Sequence, residues 1–527
     1  MDHALLISRY AAQQGQPGWS RQRLLHEALR HAIRSGSLPP GSRLLASRAL
    51  AAELGWARNT VIYAYEQLAS EGWISAGRRG TVVHARPASV LAGAGRSVGP
   101  GALAARDLPA PAPENLGLSR RSASLACLPV AADLAAAFAP GVPALDAFPL
   151  DLWRRLMMRA WRSLVSSQLN YGPPAGEPAL RDAIAAHLRA SRAVRCSAEQ
   201  VFITDGTQAS LDLCARAFAD AGDKVWIESP GYGGALTAFR AAQLRPIGIT
   251  VDAHGLAPRP QDWLQHRPRL IYVTPSHQYP SGAVMSLERR LALIAQARQA
   301  GALIIEDDYD SEFRYDGPPL AALQGLGTDI DTLDAAQPAS DAPVLYLGTF
   351  SKTLFPGLRI GFMVVPPERV QLLHHLLARS APRGRAAEQL ALAEFMREGH
   401  FGLHLRRMRR LYQQRRDALV AALERQLGEI AQVRGASAGM HLALCFEPEL
   451  GLDDQAISAA ALQAGIVAPA LSQHRVGRRA SAWSGLMLGY AQVPAEQMSE
   501  RVERLAALIR ARLGGTEGES QGMKKKA

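Results

Sequence analysis

Lys352 stands in the run TFSKTLFPGLRIG (349–361), directly after Ser351 and seven residues before Arg359. A primary amine, a hydroxyl and a guanidinium thus share one loop. An amine condenses with a carbonyl, and a hydroxyl beside a guanidinium suits a phosphate. Upstream, the apolar run ALII leads straight into EDDYDSEFRY (306–315), which places acids at the C-terminal end of a predicted strand. That is where ligands bind in open α/β sheets. A carboxylate at such a place can keep a pyridine nitrogen protonated, and a nearby phenol can bond a ring hydroxyl. Thr207 and Gln208, in TDGTQASLDL (204–213), fall at a predicted helix N-terminus, a natural anion site. Tyr232, in ESPGYGG (228–234), lies on a glycine-flanked loop from which its ring can stack on a flat group. Taken singly, these strings read equally well as a helix cap, a core aromatic and a solvated strand end. Taken jointly, they meet the demands of pyridoxal 5'-phosphate.

A second group of residues suits a different anion. Residues 1–86 hold eleven arginines, no lysine and five acids, which is half of the chain's net charge of +12 in about a sixth of its length. Within this segment Ser20 precedes RQRLLHEALRHAIRSG, whose Leu24, Leu25, Ala28, Leu29, Ala32 and Ile33 share one helical stripe that stops at Gly36. LPPG (38–41) is turn chemistry, and Ser47 is expected to cap a short helix that ends at Gly55. Asn59 then opens TVIYAYEQLASEG, with Val61, Ala64, Tyr65 and Leu68 on one stripe. WISAGRRGTVV (73–83) reads as two short strands around a basic turn, a wing. Two short helices across a tight turn make a helix-turn-helix, whose second helix enters the major groove. Arg58, Asn59 and Thr60 begin that helix, where Arg can pair with guanine and Asn with adenine. Arg43, Ser47 and Arg48 suit phosphate oxygens, and Arg78 and Arg79 flank a turn thin enough for the minor groove or backbone. The expected partner is double-stranded DNA.

The elements that must position these groups follow from the rest of the chain. With 527 residues, 48% of them hydrophobic, the chain is long enough for two to four domains and too apolar to be disordered. No apolar run approaches the roughly 20 residues of a membrane span, and the N-terminus carries Asp2 and no apolar signal core. The four cysteines, 127, 196, 214 and 445, are too scattered for a CxxC metal or redox motif and suggest a reducing, cytoplasmic setting. A winged helix-turn-helix is expected over 15–84 and a Pro/Ala/Gly-rich linker over 85–131. From 132 to 513 the runs KVWIE, RLIYVTP, ALIIEDD and VLYLGTF alternate with helical stretches, which predicts an α/β domain with a mainly parallel sheet. From about Gln389 longer helices and a few alternating strands predict a smaller C-terminal α+β lobe. Residues 514–527 carry no core-forming pattern and are expected to be a disordered tail. The stretch 325–343, GLGTDIDTLDAAQPASDAP, reads as an acidic surface loop.

Residues 32–83 resemble the winged helix-turn-helix of GntR-type regulators, with Leu45-Ala46 and Ala57 at places where that group usually has Pro-Ser and Ser. The cofactor strings, together with NYGPPAGEPALRDAIAAHL (170–188), YVTPSHQYPSG (272–282) and HLRRMRRLYQQRRDAL (404–419), resemble fold-type I pyridoxal-phosphate enzymes of the aminotransferase superfamily over most of 135–510. The combination is similar to MocR/GabR-type transcriptional regulators across nearly the full length. This resemblance implies Lys352 as the Schiff-base lysine, Asp307 rather than Asp308 as partner of the ring nitrogen, and Tyr309 as partner of the 3-hydroxyl. It further implies Arg359, Ser351, Thr207 and Gln208 as phosphate ligands and Tyr232 as the stacking ring. A homodimer that binds an operator and senses an amino compound or pyridoxal phosphate is the function implied; the alternative is an aminotransferase with an accessory DNA-binding domain. Against efficient turnover, Tyr279 stands where aminotransferases of this fold usually carry Asn, and Met487, in GLMLGYA (485–491), stands where an arginine for the substrate carboxylate is expected. Arg475, Arg478 and Arg479 lie nearby in sequence, and His277 is either a ligand contact or a packed side chain.

Overall fold

The structure is a computed structural model and describes residues 3–14, 18–77, 80–84, 136–317, 320–327, 342–380, 384–477 and 483–524. Arg78 and Arg79, the expected linker, residues 328–341 of the acidic insertion, and Arg478 and Arg479 lie outside the described residues. Two compact units emerge, one within Met1–Glu114 and one within Asn115–Ala527.

The first unit contains helices α1 (His3–Gln14), α2 (Arg21–Arg34), α3 (Ser47–Leu54) and α4 (Arg58–Ser70), with strands β1 (Arg43–Leu44), β2 (Ile74–Gly77) and β3 (Gly80–Val83). Ser20 caps α2 as read, accepting from the Arg23 amide. The cap of α3 differs from the reading: Ala46 is the N-cap and Ser47 the first helical residue, so Ser47 Oγ is left to accept from Arg58 Nε at 3.4 Å. Gly55, at φ 63°, closes α3 in the left-handed region that favours glycine. Leu25, Leu29, Leu50, Val61, Leu68 and Ile74 form the core. Helix α1 was not legible as an element, because its start is held from afar: Glu53 Oε1 accepts the amides of His3 and Ala4 at 3.0 and 3.1 Å. Strand β3 pairs antiparallel with both β2 and β1, so the wing is a three-stranded sheet.

The second unit is built on an eight-stranded sheet. Its strands are β4 (Val201–Thr204), β5 (Lys224–Ser229), β6 (Arg245–Asp252), β7 (Gly255–Leu256), β8 (Leu270–Val273), β9 (Leu303–Asp308), β10 (Val344–Thr349) and β11 (Gly361–Val364), in the order β4-β11-β10-β9-β8-β5-β6-β7. The centre is parallel, whereas β11 runs antiparallel between β10 and β4, and β7 is antiparallel to β6. Both faces are covered. Val225, Ile227, Leu270, Tyr272, Leu303, Ile305, Leu345 and Leu347 belong to one cluster, while Trp226, Ile271, Val273, Ile304 and Val344 belong to another. Burial on both faces explains why these strands read as continuous apolar runs without alternation.

Helices α5 (Leu150–Ser163), α6 (Pro178–Arg192), α7 (Thr207–Phe218), α8 (Gly233–Ala241), α9 (Pro260–Gln265), α10 (Leu287–Ala300) and α11 (Val370–Ser380) accompany the sheet. The C-terminal lobe comprises α12 (Ala386–Arg397), α13 (His400–Leu427), α14 (Asp454–Gln463) and α15 (Met498–Lys524) with an antiparallel sheet of β12 (Ala431–Arg434), β13 (His441–Phe446) and β14 (Gly485–Gly489). The fold is therefore α/β with a smaller α+β lobe, as expected. One boundary differs: the backbone of α15 is helical to Lys524, past residue 513 where the reading places a disordered tail. The missing apolar stripe withholds packing energy without forbidding continuation of an established helix.

Candidate functional site

The predicted cofactor residues converge at the C-terminal ends of the parallel strands. A cavity of about 330 Å³ is lined by Lys352, Asp307, Tyr309, Thr207, Gln208, Tyr232, Ser351 and Arg359, the complete predicted set. Each reaches it from a strand end or the turn after one: Asp307 from β9, Ser351 and Lys352 from the turn after β10, Thr207 and Gln208 from the start of α7, and Tyr232 from the N-cap of α8. Register brings Asp307 opposite Leu347 on the neighbouring strand, five residues before Lys352.

Alternation along β9 separates the two candidate aspartates. Asp308 points to the opposite side of the sheet, where its Oδ2 accepts from Arg192 Nε at 2.8 Å and from Tyr346 Oη at 2.6 Å. This is a buried ion pair, and Arg192 also donates to Ser276 Oγ at 2.7 Å. Asp307 lines the cavity; its Oδ2 accepts from Tyr272 Oη at 2.8 Å, and its buried Oδ1 has no partner. Burial, with Asp308 adding to it against the Tyr272 bond, raises the Asp307 carboxyl to about 7. A buried carboxylate oxygen without a donor calls for one. A protonated ring nitrogen meets that need, so the residues fit a pyridinium cofactor.

At the other end of the cavity the groups suit a phosphate. Gly206, at φ 93°, precedes α7 and gives no side-chain cap, so the first amides of the helix keep their donors for a ligand. A side chain at 206 would approach the Arg359 guanidinium at 3.3 Å, which explains the glycine. Arg359 itself has left-handed backbone (φ 51°) and donates to the Asp205 carbonyl at 2.7 Å. Arg385 braces this loop by donating to the Arg359 carbonyl at 2.9 Å and pairing with the Asp205 carboxylate.

Lys352 Nζ donates to the Gly141 carbonyl at 2.7 Å. Burial lowers its pKa, with Arg359 reinforcing and Asp310 and Asp307 opposing, which favours the neutral, nucleophilic amine. Tyr309 Oη donates to the His277 carbonyl at 2.9 Å, which orients the phenol at the cavity. Tyr232 and Tyr279 meet edge to face with centroids 5.3 Å apart, and both line the cavity. His277 does not line it: Nδ1 lies 3.0 Å from Asp310 Oδ2 and Nε2 3.2 Å from the Gly435 carbonyl. His277, Asp310 and His441 bring ligand-type atoms within 4.8 Å of one another. Because both His277 nitrogens are engaged, the group is a bonded network rather than an open metal centre. Met487 is buried in a small apolar cluster with Ala443, Cys445 and Leu471, against Tyr279 and Trp483. Arg475 is exposed.

Thr349 and Pro356, beside Lys352 in the chain, also line the cavity, as do Pro140, Gly141, Tyr272 and His441, none of which the sequence singles out. Tyr272 carried a weak signal, a phenol inside the apolar run RLIYV that needs a partner when buried. Pro140, Gly141 and His441 arrive from segments distant in sequence and carried none.

In the first unit, Arg43, Arg48, Arg58 and Asn59 are exposed, and Ser47 and Thr60 are half-buried. Three carboxylates of this unit are drawn elsewhere, Glu27 to Arg30 at 2.6 Å, Glu71 to the Trp73 indole at 3.0 Å, and Glu53 to the start of α1, while Glu66 is exposed two turns along α4 from Arg58. The cationic surface around the N-terminus of α4 is thereby left unneutralised by them. Exposed Tyr63, one turn beyond Asn59, is a further candidate on the same helix that the reading did not single out.

A winged helix-turn-helix in one unit, and in another an α/β fold that gathers a lysine, a buried carboxylate and an anion cradle, define the class: a DNA-binding protein with an aminotransferase-like domain. Residues 22–83 match the family described as "Bacterial regulatory proteins, gntR family", and residues 143–505 match "Aminotransferase class I and II". The chain is similar to the "Probable rhizopine catabolism regulatory protein MocR" of Rhizobium meliloti, 38% identical over 92% of each chain. It is also similar to the "HTH-type pyridoxine biosynthesis transcriptional regulator PdxR" of Corynebacterium glutamicum, 32% identical over 88% of this chain and 91% of that one. Among solved structures, LysN, an α-aminoadipate aminotransferase from Thermus thermophilus, matches with a TM-score of 0.62 and 28% identity over 75% of this chain and 96% of that one. The multiple substrate aminotransferase from Thermococcus profundus matches with a TM-score of 0.63 and 26% identity over 76% and 96%. The chain belongs to the MocR-type family of transcriptional regulators, which join a GntR helix-turn-helix to an aminotransferase-like domain. No described helix is long and apolar enough to cross a membrane.

Proposed function

We propose that this regulator holds pyridoxal 5'-phosphate in the 330 Å³ cavity and responds to a small amine that reaches the same cavity. The observation that carries this is the unpartnered, buried Oδ1 of Asp307 in a cavity shared with the amine of Lys352. When bound, the cofactor supplies an aldehyde that exchanges reversibly between amines. Lys352, whose charged form burial disfavours, anchors that aldehyde. Asp307 takes the ring nitrogen, Tyr309 the ring hydroxyl, and Tyr232 covers the ring. Arg359, Ser351, Thr207 and Gln208 take the phosphate, whose charge suits the N-terminus of α7. Lys352 Nζ, which donates to the Gly141 carbonyl here, would leave that contact to hold the cofactor and would be free to return to it when an effector amine takes its place. Differential binding to two conformations is the only energy source this requires.

In the first unit Arg58, Asn59 and Thr60 read bases, while Arg43, Ser47 and Arg48, with Arg78 and Arg79, hold phosphates of an operator. A homodimer is the form we propose, reading paired half-sites. Its support is the exposed apolar surface of Met158, Trp161, Val165, Leu169 and Tyr171, each more than half exposed. The apolar packing of Met487 and the bulk of Tyr279 argue for sensing over turnover. Fluorescence anisotropy with DNA from upstream of the protein's own gene, with and without pyridoxal phosphate and candidate amines, tests the reading. Effector-dependent operator affinity is expected; steady conversion of amino donor and keto acid without operator binding at moderate salt would establish the enzyme instead.

A further inference from the structure

His277 is buried beside the cavity without lining it, and its ring joins three parts of the fold. It stands in the loop after β8; Nδ1 lies 3.0 Å from Oδ2 of Asp310, just after β9, and Nε2 lies 3.2 Å from the carbonyl oxygen of Gly435, just after β12 in the C-terminal lobe. A carbonyl only accepts, so Nε2 carries hydrogen. In an aspartate and histidine pair the imidazole is the stronger base, so the shared proton sits on Nδ1 and the ring donates both ways. Burial opposes that charge, but the Asp310 carboxylate and the Gly435 carbonyl raise the imidazole on balance. The surrounding backbone leaves the pair no slack. A side chain at Gly439 would come within 2.2 Å of the His277 ring and 2.5 Å of Asp310 Oδ2, and one at Gly282 within 2.3 Å of Gly435 Cα.

Tyr309, which does line the cavity, meets this residue twice: its Oη is 3.2 Å from Nδ1 and 2.9 Å from the His277 carbonyl oxygen. With hydrogen already on Nδ1, the phenol gives its own hydrogen to the carbonyl. One residue thus holds the Tyr309 oxygen from two sides, and that residue is itself held by Asp310 and Gly435. We propose that His277, fixed by Asp310, is a positioning residue that sets the Tyr309 phenol for the ring hydroxyl of the cofactor. The inference rests on the reading of Tyr309 as the partner of that hydroxyl.

Pyridoxal 5'-phosphate and 3-deoxypyridoxal 5'-phosphate, which lacks only the ring hydroxyl, test it when titrated into the full-length protein, with the ratio of the two affinities read by absorbance. The wild-type chain should favour the hydroxyl-bearing ligand. His277→Leu is expected to cut that ratio roughly three- to tenfold while leaving the affinity for the 3-deoxy ligand within about twofold. His277→Asn, whose amide can take the place of Nδ1 and its hydrogen, should recover most of the ratio. Asp310→Asn, which keeps the shape of aspartate, should lower it too, and carries the test if the leucine variant does not fold. In a Tyr309→Phe background His277→Leu should change the ratio little, because residues that act as one unit are not additive. Equal losses for both ligands, or an undiminished effect of His277→Leu without the Tyr309 hydroxyl, overturn the inference while the reading of Tyr309 stands. A Tyr309→Phe variant that keeps the wild-type ratio overturns that reading, and this inference with it.

Discussion

The amine of Lys352 donates a 2.7 Å hydrogen bond to the carbonyl oxygen of Gly141, 211 residues earlier in the chain. The fit is tight. Gly141 has a φ of 71°, and a Cβ at that position would lie 2.8 Å from Lys352 Nζ. Gly141→Ala is therefore expected to displace the lysine and to cost about 1–2 kcal/mol for the left-handed backbone. Slower and weaker uptake of pyridoxal phosphate, followed by absorbance, is the expected readout; wild-type uptake would show that the contact is incidental.

Lys352→Ala is expected to abolish covalent attachment. Reduction of the loaded wild-type protein with borohydride, followed by peptide mass mapping, should find the added mass on Lys352, and the variant should show none. Operator binding should persist in the variant, with its response to amines lost.

Three buried acids, Glu228, Glu306 and Asp307, and the half-buried Glu312 are each raised to about 7, mainly by desolvation. An acid whose folded pKa exceeds its unfolded value holds more protons when folded, so its contribution to stability is complete below about 4 and is lost as pH rises toward 7. These acids therefore favour the folded, cofactor-free protein less at pH 7.5 than at pH 5.5, while the buried His404 and His441 and the half-buried His187 and His474, whose values are lowered by desolvation, act in the opposite direction. Asp307→Asn removes one of the four acid titrations, so the change in its melting temperature from pH 5.5 to pH 7.5 should be more positive than in the wild type. An unchanged slope would refute the assignment for Asp307.

The anion end predicts a graded loss. Arg359→Ala removes a charge-assisted contact worth about 1.5–3 kcal/mol, or roughly ten- to a hundredfold in affinity for pyridoxal phosphate. Arg385→Ala, which only removes the brace on that loop, should cost several-fold less. Pyridoxal, which has no phosphate, separates this from general damage: its affinity should hardly respond to Arg359→Ala.

In the winged helix, Asn59→Ala is expected to cost about 1–3 kcal/mol and relax specificity at one operator position. Arg48→Ala should weaken all sequences alike and reduce the slope of log affinity against log salt by about 1. If the two variants behaved alike, the division between base and phosphate contacts would fail.

Much of the site was legible because its chemistry is local. Ser351, Lys352 and Arg359 share one loop, and Thr207 with Gln208 follows one strand, so short-range spacing already specified an amine beside an anion site. Helix stripes and stop glycines likewise marked α2, α3 and α4. The boundaries that slipped, the cap of α3 and the end of α15, are those where local propensity is weak.

By itself, then, the sequence determined the two domain types, the kinds of anion each suits, and the side chains proposed to meet them, since these depend on residue identity and near spacing. The resemblance named Asp307 over Asp308, but only the tertiary structure shows Asp307 in the cavity and Asp308 paired with Arg192 on the other side of the sheet, because a strand buried on both faces shows no alternation until its neighbours are present. The same holds for Gly141, Tyr272 and His441. They come to Lys352 and Asp307 through sheet pairing and packing of the C-terminal lobe, contacts between residues far apart in the chain that no local pattern encodes.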